Sequence, residues 1–385
     1  MISFLPNNQI QLLRSGEEYF PALLIAIENA GQTIYLQTYI YEVDKAGISI
    51  GNALKLAAQR GVAVNVLLDG FGCKGIPKTY LEELKNAGIR VLFYRPKISP
   101  WTLKKGRLRR LHRKIVVIDN KIAFVGGINI IDDNNVPDNA PPRIDYAVRI
   151  EGALLASIAS SVHKLWWRIS LSHLKIANIN KENSPIKTET VILNGVEAAF
   201  VIRDNVMHRR DIESAYLSAI NAAKSEIIIA NAYFVPGGRF RQALLNAAKR
   251  GVKIKLLLQG RMEFFLMFAT HAFYSLFLKN GIEIYEYRKS FMHCKVAVID
   301  GYWATVGSSN IDPFSMLLAR EANIVVLNNV FANELRTDIY RSIHEGAHHV
   351  SEQEWLQGNL LKRFLSWLTY GIVRVFLGVI GSSNW

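Results

Sequence analysis

Residues 111–130 read LHRKIVVIDNKIAFVGGINI, and residues 292–311 read MHCKVAVIDGYWATVGSSNI. The two align without a gap. Each carries His-x-Lys, an apolar run, an Asp, a second apolar run, a turn of small residues and Asn-Ile. Two apolar runs around a polar turn read as strand, hairpin, strand. The runs lack clean alternation, as strands covered on both faces do. His and Lys two apart on a strand point to the same side, so both can enter one pocket.

The similarity extends outward in both directions. LAAQRGVAVNVLLDG (56–70) matches NAAKRGVKIKLLLQG (246–260), each a helix end, a Gly stop and a strand. IYLQTYI (34–40) matches IIIANAYF (227–234), and NAGIRVLFYRP (86–96) matches KNGIEIYEYRK (279–289). RIDYAVRIEG (143–152) matches REANIVVLNN (320–329). The chain is therefore a duplicated α/β unit with a largely parallel or mixed sheet. The polar, Pro-bearing stretch 170–195 reads as the linker. The organisation expected is a first unit over 1–180, a second over 181–350 and a tail over 351–385. A two-fold-like pairing would bring the two motifs face to face.

The chain has 385 residues, enough for two domains, and half of them are apolar. Its formal net charge of +14 favours anionic partners without choosing among phospholipid, nucleic acid and other phosphates. Two distant cysteines, Cys73 and Cys294, exclude a disulfide framework or a cysteine-rich zinc site. The opening residues lack a basic segment followed by a long apolar run, so neither a signal peptide nor an N-terminal anchor is expected.

The paired motifs supply His112, Lys114 and Asp119, and His293, Lys295 and Asp300. A neutral imidazole can attack phosphorus, and a second, protonated one can give its proton to the leaving alkoxide. Lysines stabilise the phosphoryl charge that develops. The chemistry needs two histidines in different protonation states, which two motif copies provide. No cofactor is expected, and a lysine beside each His would repel a metal ion. Asp119 and Asp300 end strands and either act in the site or brace it. Asn129, Ser308 and Asn310, in the small-residue turns, offer neutral hydrogen bonds to phosphate oxygens. Gly127 stands where the second copy has Ser308, so one hydroxyl is missing on that side. Asp145 and Glu321, at matched positions, are candidates to hold the far nitrogen of each imidazole and set its tautomer.

This duplicated arrangement resembles the phospholipase D superfamily over nearly the whole chain. It is most similar to bacterial cardiolipin synthases of the shorter branch without N-terminal transmembrane helices, on RLRRLHRKIVVIDNKIAFVGGINI (107–130) and DYAVRIEG (145–152). The resemblance implies two phospholipase D-like α/β domains with mixed sheets, related by a pseudo-two-fold axis, with the active site at their interface. It implies transfer of a phosphatidyl group through a phosphohistidine, with phosphatidylglycerol as donor and acceptor. His112 is then the nucleophile and His293 the acid, later base. It also implies a peripheral enzyme on the cytoplasmic side of the cell inner membrane. A lipid hydrolase and a nuclease of the same superfamily are the rival readings.

Three segments bear on the substrate. Residues 97–114, KISPWTLKKGRLRRLHRK, hold eight basic residues and no acid, and run into His112. They suit anionic headgroups, and equally nucleic acid. MEFFLMFATHAFYSLFL (262–278) is almost wholly apolar, where the matching KTYLEELK (78–85) is amphipathic. It reads as a core helix or as a membrane-facing element. In LLKRFLSWLTYGIVRVFLGVI (360–380), Lys362, Arg363, Ser366, Tyr370 and Arg374 form one stripe and leucines, phenylalanines and valines the other. That pattern fits a helix in the membrane interface. Arg374 argues against a span, since a charge at the centre costs about 2.5–3.5 kcal/mol. The partners expected are anionic phospholipids and a membrane surface. Nucleic acid is not expected, because neither apolar segment would help bind it.

Overall fold

The computed structural model describes residues 2–96, 109–172, 195–261, 266–357 and 360–379. Most of the basic run 97–114 and of the linker 170–195, and the start of the apolar segment 262–278, lie outside the described residues.

The first repeat contributes β1 (Leu5–Arg14), β2 (Thr33–Thr38), β3 (Ala63–Asp69), β4 (Arg90–Tyr94), β5 (Lys114–Ile118), β6 (Ile122–Gly126) and β7 (Tyr146–Gly152). The second contributes β8 (Val196–Arg203), β9 (Glu226–Asn231), β10 (Lys253–Gln259), β11 (Glu283–Tyr287), β12 (Lys295–Ile299), β13 (Trp303–Gly307) and β14 (Glu321–Leu327). The short β15 (Ala347–Val350) follows. All join one sheet in the order β15-β11-β10-β9-β12-β13-β14-β8-β1-β7-β6-β5-β2-β3-β4. Apart from β15 the order is a palindrome about β8 and β1, which is the pseudo-two-fold expected of a duplication. In each repeat three strands run parallel (β2, β3 and β4; β9, β10 and β11) and the motif strands pair antiparallel.

The two halves of the sheet close on each other. Ile115, Val117, Val125 and Val148 of the first repeat share one buried core with Val296, Val298, Val306 and Ile324 of the second. Helices Leu155–Ser172 and Asn329–Gly346 complete that shared core. Each repeat has a further core of its own, under helices Ser15–Glu28 and Lys45–Gln59 in the first and Asp211–Ala222 and Gly238–Lys249 in the second. Helices Lys45–Gln59 and Gly238–Lys249 are followed by Gly61 and Gly251 at φ +90 and +87, where any side chain would be strained. These are the Gly stops of the repeat.

The apolar segment before the second motif is two short helices, Leu266–His271 and Tyr274–Leu278. Ala269, Phe273, Tyr274 and Phe277 are buried in the second repeat's core, which favours the core reading of that segment. The C-terminal helix Leu360–Val379 corrects an expectation. Its Ser366, Thr369, Tyr370 and Val373 are buried, with the Tyr370 ring 4.8 Å from that of Phe273. Trp367, Leu368, Ile372 and Val375 face outward at 66%, 49%, 51% and 68% exposure. The Ser366–Tyr370 side therefore faces the protein, because small and hydroxyl-bearing residues allow close helix packing. An apolar side is left open. Arg374 is exposed. Among the described residues no helix is long and apolar enough to cross a membrane.

Candidate active site

The two motifs are fastened to each other's repeat. Leu111 forms a parallel bridge with Arg320, and Met292 forms the equivalent bridge with Ile144. The His112 N–H donates to the Arg320 carbonyl at 3.0 Å, and the His293 N–H to the Ile144 carbonyl at 2.8 Å. The residue after each acceptor is a carboxylate. Each imidazole thereby meets the acid of the opposite repeat. His112 Nδ1 lies 2.9 Å from Glu321 Oε1, and His293 Nδ1 lies 2.7 Å from Asp145 Oδ2. Both acids are buried. A carboxylate accepting from Nδ1–H leaves the Nε2 lone pair free on each ring. His112, His293, Asn129 and Tyr39 line one cavity of about 720 Å3, together with Phe291 and Tyr233.

Lys114 and Lys295 are buried. Lys114 Nζ donates to the His112 carbonyl at 2.6 Å, and Lys295 Nζ to the His293 carbonyl. Lys295 also lies 3.7 Å from Asp145. Burial lowers the Lys114 pKa to about 7, with Glu321 opposing the shift. Burial and the Lys295 charge lower His293 to about 3, and burial also lowers His112 despite Glu321. Burial works to raise Asp145, but Lys295 and His293 outweigh it and the net shift is downward. Both rings are therefore neutral at pH 7 without a ligand. A phosphodiester anion placed between them adds negative charge, which favours protonating one.

Asp119 and Asp300 were expected among the catalytic residues, and the structure places them outside this cavity. Both sit at φ +52, in hairpin turns beside Asn120 and Gly301, a geometry that Asp, Asn and Gly tolerate. The Asp119 carboxylate accepts from the N–H groups of Gly31, Gln32 and Thr33 at 2.8, 2.8 and 2.7 Å. Asp300 does the same for Lys224, Ser225 and Glu226 at 2.8, 2.8 and 2.9 Å. Each pins its motif hairpin to the start of the neighbouring strand, so they are bracing residues.

Ser308 also departs from expectation. Its hydroxyl is buried and donates to Glu321 Oε2 at 2.5 Å, so it positions the acid that holds His112. At the matched position a Cβ on Gly127 would collide with the Asp145 carboxylate. The Gly127/Ser308 difference is thus set by the acids, the shorter Asp packing over a bare backbone and the longer Glu reaching a hydroxyl. Gly127→Ala is expected to displace Asp145, release His293 and cut turnover roughly 100-fold or more. The variant's turnover and melting temperature together check this. Asn129 reaches the cavity wall, with its Oδ1 accepting from Ile40 N at 3.0 Å. Asn310 is buried, and among the described residues its Oδ1 has no hydrogen-bond partner.

Two positioning residues escaped the sequence. The Tyr39 ring packs edge-on against His112 with centroids 4.8 Å apart. Its only sequence signal is that the second repeat has Ala232 there. Asp69, fully buried at the end of β3, accepts from the Leu111 N–H at 2.7 Å and so fixes the approach to His112.

The family model described as "Cardiolipin synthase, PLD-like domain" matches residues 23–141 and 216–343, one block in each repeat. Cardiolipin synthase B of Salmonella typhimurium (strain LT2) is 38% identical over 97% of this chain and 90% of its own length. Cardiolipin synthase B of Escherichia coli (strain K12) is 38% identical over 98% and 91%. Cardiolipin synthase 1 of Bacillus cereus is 30% identical over 90% and 67%. Among solved structures, a phosphatidylserine synthase of Haemophilus influenzae Rd KW20 superposes with a TM-score of 0.72. That match covers 100% of this chain and 97% of the other at 13% identity, a likeness of fold. The chain belongs to the cardiolipin synthase family of phospholipase D-like proteins.

Proposed function

We propose that this chain is a cardiolipin synthase, a phosphatidyltransferase that joins two phosphatidylglycerol molecules and releases glycerol. The observation that carries the reading is the crosswise site, in which two imidazoles from different repeats share a cavity and each is held at Nδ1 by a buried acid. In this reading His112 Nε2 attacks phosphorus and the bond to the glycerol oxygen breaks. His293, protonated once the phosphodiester is bound, gives its proton to the leaving alkoxide. The lysines offset charge on the non-bridging oxygens, and Asn129 and Asn310 orient them. Glycerol leaves and a second phosphatidylglycerol enters. Neutral His293 takes the proton from its hydroxyl, the oxygen attacks phosphorus, and the N–P bond breaks to give cardiolipin. Whether water or a lipid hydroxyl accepts the group is decided by access to the intermediate.

The membrane is the substrate's source, and the open apolar side of helix Leu360–Val379 suits it. Trp367, Ile372 and Val375 would enter a lipid surface as a peripheral contact while net positive charge favours an anionic, cytoplasmic-side leaflet. Burying each such side chain contributes roughly 1.5–3 kcal/mol, so Trp367→Asp with Ile372→Asp should weaken vesicle binding by about tenfold or more. Sedimentation with phosphatidylglycerol vesicles measures it, and unchanged partitioning would remove the helix from the docking surface.

The function itself is tested by incubating the purified chain with phosphatidylglycerol vesicles and separating the lipids. Cardiolipin with an equal amount of glycerol is expected. Phosphatidic acid in its place would make the chain a hydrolase, and cleavage of DNA without lipid turnover would make it a nuclease.

A further inference from the structure

A second cleft lies beside the catalytic cavity and shares none of its residues. It runs between helix Leu155–Ser172 and β8 in two connected parts of about 570 and 460 Å3, which share Leu165, Arg168 and Arg320. Arg95, Arg109 and Lys164 also line it. Neither His112 nor His293 does.

Basic side chains in this region fall into two groups. Arg113 and Arg203 are buried and satisfied. Arg113 donates to Gln37 Oε1 at 2.8 Å and Ser161 Oγ at 2.7 Å, and Arg203 donates to Asn205 Oδ1 at 2.9 Å and the Ala319 carbonyl. Their donors are spent on the protein itself. The cleft-lining group is different. Among the described residues, Arg95, Arg109, Lys164, Arg168 and Arg320 make no direct ion pair with a carboxylate. Among the described residues, the buried Nε atoms of Arg109 and Arg320 have no hydrogen-bond partner. Burial, together with the charges of Arg95, Arg209 and Arg320, pushes the Arg109 pKa down, so these cations stand close enough to repel. Of the acids lining the cleft, Asp211 pairs with His208, and Asp204 lies within electrostatic reach of Arg320 without a direct ion pair. Its Oδ1 is taken up by the N–H groups of Val206, Met207 and His208 at 2.9, 3.0 and 2.9 Å. Leaving several guanidinium groups together with unmet donors is costly unless an anion joins them.

We propose that this cleft binds a second phosphate group, a mono- or diester headgroup held by Arg109, Arg168 and Arg320. Planar guanidinium forks suit phosphate oxygens bidentately. The cleft is mechanically joined to the catalytic site, since the Arg320 carbonyl accepts from His112 N and its neighbour Glu321 holds the His112 ring. The ligand is either the headgroup of an anionic lipid or a free phosphate.

Calorimetric titration with inorganic phosphate tests the site without any turnover, so its outcome is independent of the lipid product assay. The wild-type chain is expected to bind phosphate at this cleft as well as between the catalytic lysines. Arg109→Gln with Arg168→Gln should lose the cleft event, weakening it tenfold or more for each charged hydrogen bond removed. Lys114→Met with Lys295→Met should retain it. Arg109→Lys with Arg168→Lys, which keeps the charge, should restore part of the affinity and shows that the glutamine variant's loss is not misfolding. Equal phosphate stoichiometry in the wild type and the glutamine variant would overturn the proposal. The source follows from a second arm with phosphatidylglycerol vesicles. A raised KM at near-normal kcat in the glutamine variant assigns the cleft to a lipid headgroup. An unchanged KM alongside lost phosphate binding assigns it to a free phosphate.

Discussion

His112→Ala is expected to reduce cardiolipin formation by about four orders of magnitude or more, to the level of a blank. The other imidazole in the cavity, His293, takes the acid's part in this mechanism, which leaves the attack on phosphorus to His112. Lys114 and Lys295 each donate to the carbonyl of their own motif's histidine and act as charge partners, and the hydroxyl of Ser308 donates to Glu321. Water attacking phosphorus directly would draw on His293 as its base, the group that must also protonate the leaving oxygen. The ring itself is small and packed edge-on against Tyr39, so its loss should leave the fold intact. An unchanged melting temperature with lost turnover is the expected combination. His293→Ala should be as inactive over a full cycle but different in kind. With His112 present and the acid gone, a slow covalent adduct can still form and then stall for lack of a base. Mass spectrometry of rapidly quenched protein should find a phosphatidyl adduct on the peptide containing His112. An adduct on the His293 peptide of the His112→Ala chain would exchange the two roles. Wild-type turnover by the His112→Ala chain would end the shared-site mechanism.

Much of this site was legible in the sequence because duplication writes it twice. A His and a Lys at strand spacing share a face whatever surrounds them, and the Gly stops at 61 and 251 carry the same register into both halves. The palindromic strand order follows from that repetition. What could not be read is where partners come from across the axis. Asp145 and Glu321 stand at matched positions, yet nothing local says that each serves the other repeat's histidine. That depends on two isolated bridges, Leu111 to Arg320 and Ile144 to Met292, between segments far apart in sequence. Ser308 differs from its expected role for a related reason. Its neighbour in space is a buried acid, and a hydroxyl there satisfies protein and not ligand. Asp119 and Asp300 belong to the motif by spacing, but their positive φ and their three N–H partners are turn chemistry. The C-terminal helix had two plausible faces, and only packing against Phe273 chose which one turned inward.

The crosswise pairing has its own consequence, and a leaving group can expose it. Glu321→Gln and Asp145→Asn each remove a buried negative charge from an Nδ1 partner while keeping its shape. Losing such a carboxylate costs roughly 10^2 to 10^4 in turnover where it fixes the tautomer of a catalytic imidazole. With phosphatidylglycerol as donor, both variants should fall within that range. The difference should appear with phosphatidyl-p-nitrophenol, whose phenolate departs without a proton. Asp145 serves His293, the acid, so Asp145→Asn should regain most of its rate of p-nitrophenol release in the first turnover. Glu321 serves His112, the nucleophile, so Glu321→Gln should stay slow with either donor. Pairing within each repeat would give the reverse, with Asp145 supporting His112 and its variant beyond rescue. Stopped-flow release of p-nitrophenolate separates the two patterns. The exchange of acids across the axis also means that neither repeat contains a working histidine of its own. Each half supplies a ring and the other half orients it, which ties the reaction to the closed pair and gives a physical reason for both copies to persist in one chain.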